Sequence, residues 1–168
     1  GLVTGASPEE IAHAGRHQSR HLMSTGKDRI DGYRDALRAA QLDLVPEYLK
    51  LGDFHRDAAG AMARELLALP QPPTAIFTTD GVISLGVLEA LQDLGVAVPE
   101  QVSVLGFDDP DWSVVVRPKL TVIAQPAYEL GALAAQRVIA RVRGDVTRAR
   151  AHRLPTELVV RDSVAQLH

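Results

Sequence analysis

Residues 73–122 read PTAIFTTDGVISLGVLEALQDLGVAVPEQVSVLGFDDPDWSVVVRPKLTV, and this stretch decides the fold. It contains two short apolar runs, Ala75–Thr78 and Val102–Leu105, which have the length and composition of buried strands in a parallel sheet. Between them, Val82–Leu94 repeats apolar residues at helical spacing. The order strand, helix, strand predicts an α/β fold.

Acidic residues follow both predicted strands. Asp80 comes after the first strand, and Asp108 and Asp109 come after the second. In an open α/β sheet, ligands bind just beyond the carboxyl ends of the strands, so these positions predict a small-molecule site. Asp80 can instead, or in addition, cap the following helix, and Asp108 can cap the turn Pro110–Ser113. We interpret Asp109 as structural.

The rest of the chain alternates between the same two kinds of element. No internal repeat is visible. The patterns predict helices at Pro8–Ala14, Arg16–Met23, Asp31–Ala40, Asp57–Leu69 and Tyr128–Val142, and strands at Leu49–Leu51, Leu120–Ile123 and Leu158–Val160.

Composition limits the class of protein. The 168 residues suit one domain, or one lobe and part of another, and 46% of them are apolar. The net charge of −3 does not favour nucleic-acid binding by this chain alone. The Arg-rich stretch Arg137–Arg153 is interpreted as a solvated face. Without cysteine, disulfides and thiolate metal sites are excluded, which fits a cytoplasmic protein.

The chain also lacks the usual signals of targeting. No apolar run approaches a membrane span, and the start GLVTGASPEE lacks the features of a signal peptide. Because it begins with Gly1, we expect a processed or truncated start.

Nothing in the sequence indicates catalysis, so a protein without enzymatic activity, cofactor or metal is predicted. Ser163 and His152 form no recognisable nucleophile arrangement. His17 and His21 are spaced for one helix face but have no evident third metal ligand. The adjacent Asp108 and Asp109 leave one alternative, a Mg²⁺-dependent phosphohydrolase or phospho-receiver.

The segment ISLGVLEALQDLGVAVPEQVSVLGFDD resembles the effector-binding domain of bacterial LacI/GalR-type transcriptional regulators, and the closing LPTELVVRDSVA is typical of them. The resemblance implies a periplasmic-binding-protein-like fold of two Rossmann-like lobes, with mostly the second lobe present. It divides the chain into a first-lobe fragment, the second lobe, a crossover with a first-lobe helix, and a return to the second lobe, at residues 1–14, 15–122, 123–150 and 151–168.

The implied function is sensing of a small-molecule effector, a sugar or nucleoside, by a DNA-binding regulator. The effector would shift the population of two lobe arrangements. Operator DNA would be bound through an N-terminal helix-turn-helix that is absent from this chain. The alternative is a periplasmic sugar-binding protein of a transport system.

The resemblance also implies ligand-binding residues. Phe54 lies in a GDF segment, and Asp80 matches a position that carries Asn or Asp in relatives. Asp108 is the first Asp of the GFDD motif, and Gln125 lies where the chain crosses between the lobes. Phe54 could otherwise be a core residue and Gln125 a hinge residue. The sole Trp, Trp112, is interpreted as a packing residue.

Two features depart from the family pattern. Gly81 stands where relatives often carry Asp, and the Arg that usually precedes a helix like Asp31–Ala40 is not assigned, because neither Arg29 nor Arg34 is clearly in register. The family pattern also predicts that segments are missing at Ala14–Gly15 and at Ile30–Asp31, where relatives have a strand and a loop.

A homodimer is predicted from the helix Val82–Leu94. It carries apolar residues on more than one face, and one of these faces must cover the sheet. In the family the corresponding helix contributes to the dimer. The face around Val87 and Leu91 is predicted to be the dimer interface.

Overall fold

A single six-stranded sheet organises the protein, in the order β2-β1-β3-β4-β5-β6. The computed structural model describes residues 1–4 and 24–165. The strands are β1 Leu2–Thr4, β2 Leu49–Leu51, β3 Ala75–Thr78, β4 Ser103–Phe107, β5 Thr121–Ala124 and β6 Glu157–Val159. The helices are α1 Ser24–Ala39, α2 Arg56–Leu67, α3 Gly81–Asp93 and α4 Ala127–Val142, with short 3-10 turns at Pro46–Tyr48 and Asp111–Val114. The first five strands run parallel, and β6 pairs with β5 in the antiparallel sense.

The core lies between the sheet and the helices α2 and α3. Strand residues such as Val3, Ile76 and Val104 are fully buried and pack with Leu66 of α2 and Ile83 of α3. Burial of side chains of this size stabilises the fold by about 1.5–3 kcal/mol each. The predicted strand–helix–strand unit is confirmed by β3, α3 and β4.

The helices α2 and α3 approach each other closely at Gly86. A Cβ at this position would lie 2.1 Å from the backbone oxygen of Arg56, which is far inside contact distance. Glycine is therefore required at this crossing, and its small size permits the close spacing of α2 and α3.

The helix predicted to begin at Asp31 begins earlier. Ile30 and Asp31 lie inside α1, which runs unbroken from Ser24 to Ala39. Ile30 is 2% exposed and anchors the helix by its apolar side chain. The segment predicted to be missing at Ile30–Asp31, relative to the family pattern, stays a prediction. The other predicted gap, at Ala14–Gly15, and the helices predicted at Pro8–Ala14 and Arg16–Met23 fall outside the described residues.

Strand β1 lies inside the single sheet. Leu2 pairs with Leu49 of β2 on one side and with Phe77 of β3 on the other. Leu2 and Val3 are fully buried, so this short apolar strand belongs to the same sheet as residues 49–124. The structure describes residues 1–4 of the predicted first-lobe fragment 1–14, and the predicted division of the chain into lobes stays a prediction.

Helix α4 differs from the other helices because none of its residues is buried. Its apolar residues Tyr128, Val138 and Val142 are 84%, 63% and 83% exposed. A crossing of residues 123–150 to another lobe would explain this exposure. Among residues 1–4 and 24–165, no helix is long and apolar enough to cross a membrane.

Candidate functional site

The carboxyl ends of β3, β4 and β5 meet at one edge of the sheet. Two of the predicted ligand residues touch there, because Gln125 Nε2 donates a hydrogen bond of 2.5 Å to Asp108 Oδ1. The register Phe107↔Ile123 brings the end of β4 beside the end of β5 and so sets up this contact.

Asp80 lies at the end of β3 on the same edge and caps α3. Its Oδ1 accepts hydrogen bonds from the backbone N–H groups of Val82, at 2.7 Å, and Ile83, at 3.2 Å. The capping role predicted for Asp80 is therefore confirmed. Within the described part of the chain, both side-chain bonds fall on Oδ1, which leaves Oδ2 able to accept from a ligand.

Arg29, which the sequence pattern leaves unassigned, lies at the same edge of the sheet. Its Nη1 donates to the backbone oxygen of Thr79 at 2.6 Å, and its guanidinium lies 3.9 Å from the centroid of the Phe107 ring. Partial burial lowers the pKa of Arg29, while the nearby carboxylates of Asp108 and Asp80 oppose that shift. The position would have been visible if residues 24–39 had been recognised as one helix.

Asp108 adopts an unusual backbone conformation. Its φ is 72°, in the left-handed region that few residues other than glycine occupy, although Asp is one of those that tolerate it. Its backbone N–H donates to Ile123 O at 3.0 Å. Strained backbone of this kind is typical of functional sites, where the surroundings hold it in place.

Asp109, the next residue, forms an ion pair with Arg161. Arg161 Nη1 and Nη2 donate to the two carboxylate oxygens at 2.8 and 2.6 Å, and Ser113 Oγ donates to Oδ1 at 2.6 Å. The hydrogen bond from Arg161 lowers the pKa of Asp109, and the bond from Ser113 adds to this against the effect of burial. The carboxylate is thus occupied by protein groups, which supports its structural interpretation and disfavours the Mg²⁺ alternative.

Phe54 follows β2, which is separated from β3 by β1. Its side chain is 52% exposed, so the alternative of a core residue is wrong. Its role as a ligand-binding residue stays a prediction. Trp112 packs against the core, as predicted.

The predicted dimer face needs correction. Val87 and Leu91 are 0% and 1% exposed, because this side of α3 packs against α2 and the sheet. Residues that contact the protein's own core cannot form an exposed interface. Another side of α3 borders an open groove of about 650 Å³. Its lining includes the apolar residues Leu85, Leu88, Val96 and Val98, the buried Leu91, and the polar residues Arg56, Glu89, Gln92 and Arg117.

Comparison with known proteins assigns the family. Residues 6–164 match the family described as the periplasmic binding protein-like domain. A repressor of Rhizobium rhizogenes named for an opine utilization operon is 36% identical over 149 residues, which cover 88% of this chain and 75% of that protein. The HTH-type transcriptional repressor CytR of Escherichia coli is 37% identical over 139 residues, covering 83% of this chain and 41% of CytR.

Solved structures agree with this assignment. A LacI-type regulator from Bacillus cereus has a TM-score of 0.85 at 33% identity, covering 99% of this chain and 54% of that one. The regulator CelR in complex with cellobiose has a TM-score of 0.80 at 32% identity, covering 96% of this chain and 46% of CelR. A LacI family regulator from Enterococcus faecium with bound ribose has a TM-score of 0.78 at 29% identity, covering 99% of this chain and 56% of that one.

These relatives are transcriptional regulators, and nothing among them favours a transport protein or an enzyme. The chain spans about half the length of most of them, from 41% of CytR to 56% of the Enterococcus faecium regulator. The fold, the matched domain and the named relatives agree: the chain belongs to the periplasmic binding protein-like domain family, in the form found in LacI-type transcriptional regulators.

Proposed function

We propose that this chain is the effector-binding part of a DNA-binding transcriptional regulator, and that its effector is a neutral, hydroxyl-rich molecule such as a sugar. The observation that carries the proposal is the group formed by Arg29, Asp108 and Gln125 at the carboxyl edge of the sheet. Ribose and cellobiose in two structural relatives support the sugar class.

The chemistry of this group suits hydroxyls. The carboxylate of Asp108 only accepts hydrogen bonds, the guanidinium of Arg29 only donates them, and the amide of Gln125 does both. A sugar hydroxyl donates and accepts at once, so a diol can engage all three. The charge of Arg29 is offset by Asp80 and Asp108, which disfavours an anionic effector.

For the whole protein we propose operator binding through a helix-turn-helix outside this chain, in the cytoplasm. The effector would act by binding one arrangement of the protein more tightly than another, since only differential affinity shifts such an equilibrium.

We also propose a homodimer, through the side of α3 that carries Leu85 and Leu88 rather than the side of Val87 and Leu91. The groove beside Leu85 and Leu88 is open, and its lining combines these half-buried apolar residues with Arg56, Glu89, Gln92 and Arg117. Apolar surface bordered by polar residues commonly marks an interface, and a two-fold protein matches paired DNA half-sites.

The proposal is tested by isothermal titration calorimetry of the purified protein with ribose, cellobiose, adenosine and ribose 5-phosphate. We expect saturable binding of at least one neutral compound. Ribose 5-phosphate serves as the charged control and should bind more weakly than ribose, because the two carboxylates repel its phosphate. Binding of the phosphate compound alone, or of none of the neutral compounds, would contradict the proposal.

A further inference from the structure

The loop that carries Asp108 has little support from the sheet. The pairing of β4 with β5 ends at Phe107↔Ile123, one residue before Asp108. Residues 108–114, here called the 108–114 loop, then continue through Asp109 into the 3-10 turn Asp111–Val114. Asp108 itself is bonded to β5 through its backbone N–H and Ile123 O, so it is the residues after it that need another support to keep Asp108 at its φ of 72°.

That support comes from the far end of the chain. The guanidinium of Arg161, 52 residues from Asp109 in sequence, grips both oxygens of that carboxylate. The same group donates to Ser113 Oγ at 2.9 Å and to Leu120 O at 2.9 Å. Arg161 thus joins both ends of the 108–114 loop to the start of β5.

Arg161 is itself held firmly. Its backbone N–H donates to Thr121 Oγ1 at 2.9 Å. Two residues on, the fully buried Ser163 donates from Oγ to Val104 O at 2.6 Å and accepts from Thr121 N at 2.8 Å. The segment that follows β6 is therefore bound to β4 and β5, and the guanidinium projects from a fixed backbone.

We propose that Arg161 is a positioning residue for the candidate effector site. By fixing Asp109 and Ser113, it keeps Asp108 in its left-handed conformation and its carboxylate against Gln125. Without this grip, Asp108 relaxes to an ordinary negative φ, which turns its side chain away from Gln125. The relevance to an effector rests on the proposed function, but the positioning itself is a property of the free protein.

The experiment measures the positioning directly, without an effector. The side-chain amide of Gln125 is followed by ¹⁵N-resolved NMR, and acrylamide quenching of Trp112 reports on the 108–114 loop, since the chain has one tryptophan. The variants are Arg161→Met, Arg161→Lys and Asp109→Asn. Asp111→Asn is the matched control, because Asp111 is an exposed carboxylate in the same loop.

We expect the downfield shift of the bonded Gln125 amide proton to be lost in Arg161→Met and Asp109→Asn, and Trp112 to become easier to quench. Arg161→Lys should restore part of both signals, while Asp111→Asn should match the wild type. If Arg161→Met has a lower melting temperature but keeps both wild-type signals while folded, the role of Arg161 is structural only and the proposal is overturned. If Arg161→Met does not fold, the near-isosteric Asp109→Asn decides by the same two signals.

Because neither signal requires an effector, failure of this proposal is distinguishable from failure of the proposed function. If the two signals change in Arg161→Met as expected but the wild type binds no sugar, only the proposed function is overturned. If the wild type binds a sugar but the two signals are unchanged in Arg161→Met, only the role of Arg161 is overturned.

Discussion

The guanidinium of Arg29 stacks on the ring of Phe107, 3.9 Å from its centroid. The contact joins α1 to the end of β4, and its position beside Asp108 places a cation at the ligand edge of the sheet. A guanidinium over an aromatic face is attracted by the ring, so this contact orients Arg29 as well as packing it.

Replacing Arg29 by Met tests whether this cation binds the effector. Met keeps an apolar stem over Phe107 but removes every donor, so we expect affinity for a bound sugar to fall by roughly tenfold to a hundredfold, as for loss of a charged hydrogen bond. Arg34→Met, on an exposed position of the same helix, is the control. Calorimetry measures both, and equal affinities in the two variants would remove Arg29 from the site.

Substitutions of Gly86 in α3 and Gly131 in α4 form a matched test of the free energy of unfolding. Gly86→Ala drives a Cβ into the Arg56 backbone, so we expect a loss of unfolding free energy of about 1–3 kcal/mol or more. Gly131→Ala in the exposed middle of α4 meets nothing within 4 Å and should be neutral or stabilising by up to about 1 kcal/mol. Urea denaturation compares them. A wild-type midpoint for Gly86→Ala would contradict the close helix crossing.

The pH dependence of stability follows from Asp109. Arg161 holds the pKa of this carboxyl below its ordinary value of 3.8. A carboxyl with a lowered folded-state pKa contributes its full stability above the ordinary value and loses it as the pH falls through the folded pKa. We therefore expect the gap in unfolding free energy between wild type and Asp109→Asn to be steady near neutral pH and to close below about pH 4.

Denaturant titrations over that pH range measure the gap, with Asp111→Asn as the control that shows no such closure. A gap that persists unchanged to the most acidic pH at which the protein folds would show that the ion pair with Arg161 does not lower this pKa.

The proposed dimer is tested by Leu88→Asp. Leu88 lines the groove beside α3, and an unpaired charge buried in an interface costs several kcal/mol, so the variant should be a folded monomer. Leu94→Asp, at the exposed end of the same helix, should stay dimeric. Light scattering decides. If the wild type is a monomer at micromolar concentration, the dimer proposal is wrong. If Leu88→Asp is still a dimer, the interface does not include Leu88.

The contrast between β3 and α1 shows what the sequence could predict. The strand predicted at Ala75–Thr78 has the same bounds as β3, because a short apolar run between polar turns fits few other kinds of secondary structure. The pattern predicts a helix only from Asp31, although α1 begins at Ser24, because Ile30 is its one fully buried apolar residue and the periodic signal is weak. Arg29 lies in the part of the helix that the pattern does not predict.

The two faces of α3 carry the same lesson. Apolar spacing showed several candidate faces but not which one covers the sheet. The small residues Gly86 and Ala90 beside Val87 and Leu91 mark the side that meets α2, and they were the available signal. The pairing of Arg161 with Asp109 had no local signal at all, because 52 residues separate the two.

The most direct test of the effector site is calorimetry on Asp108→Asn, with the neutral compound that binds the wild type. Asn tolerates the φ of 72° better than Ala, so the change removes the charge and leaves the backbone in place. We expect affinity to fall by about tenfold or more, with Asp111→Asn unchanged. Equal affinity in Asp108→Asn and wild type would contradict the assignment of this carboxylate, and with it the site at the edge of the sheet.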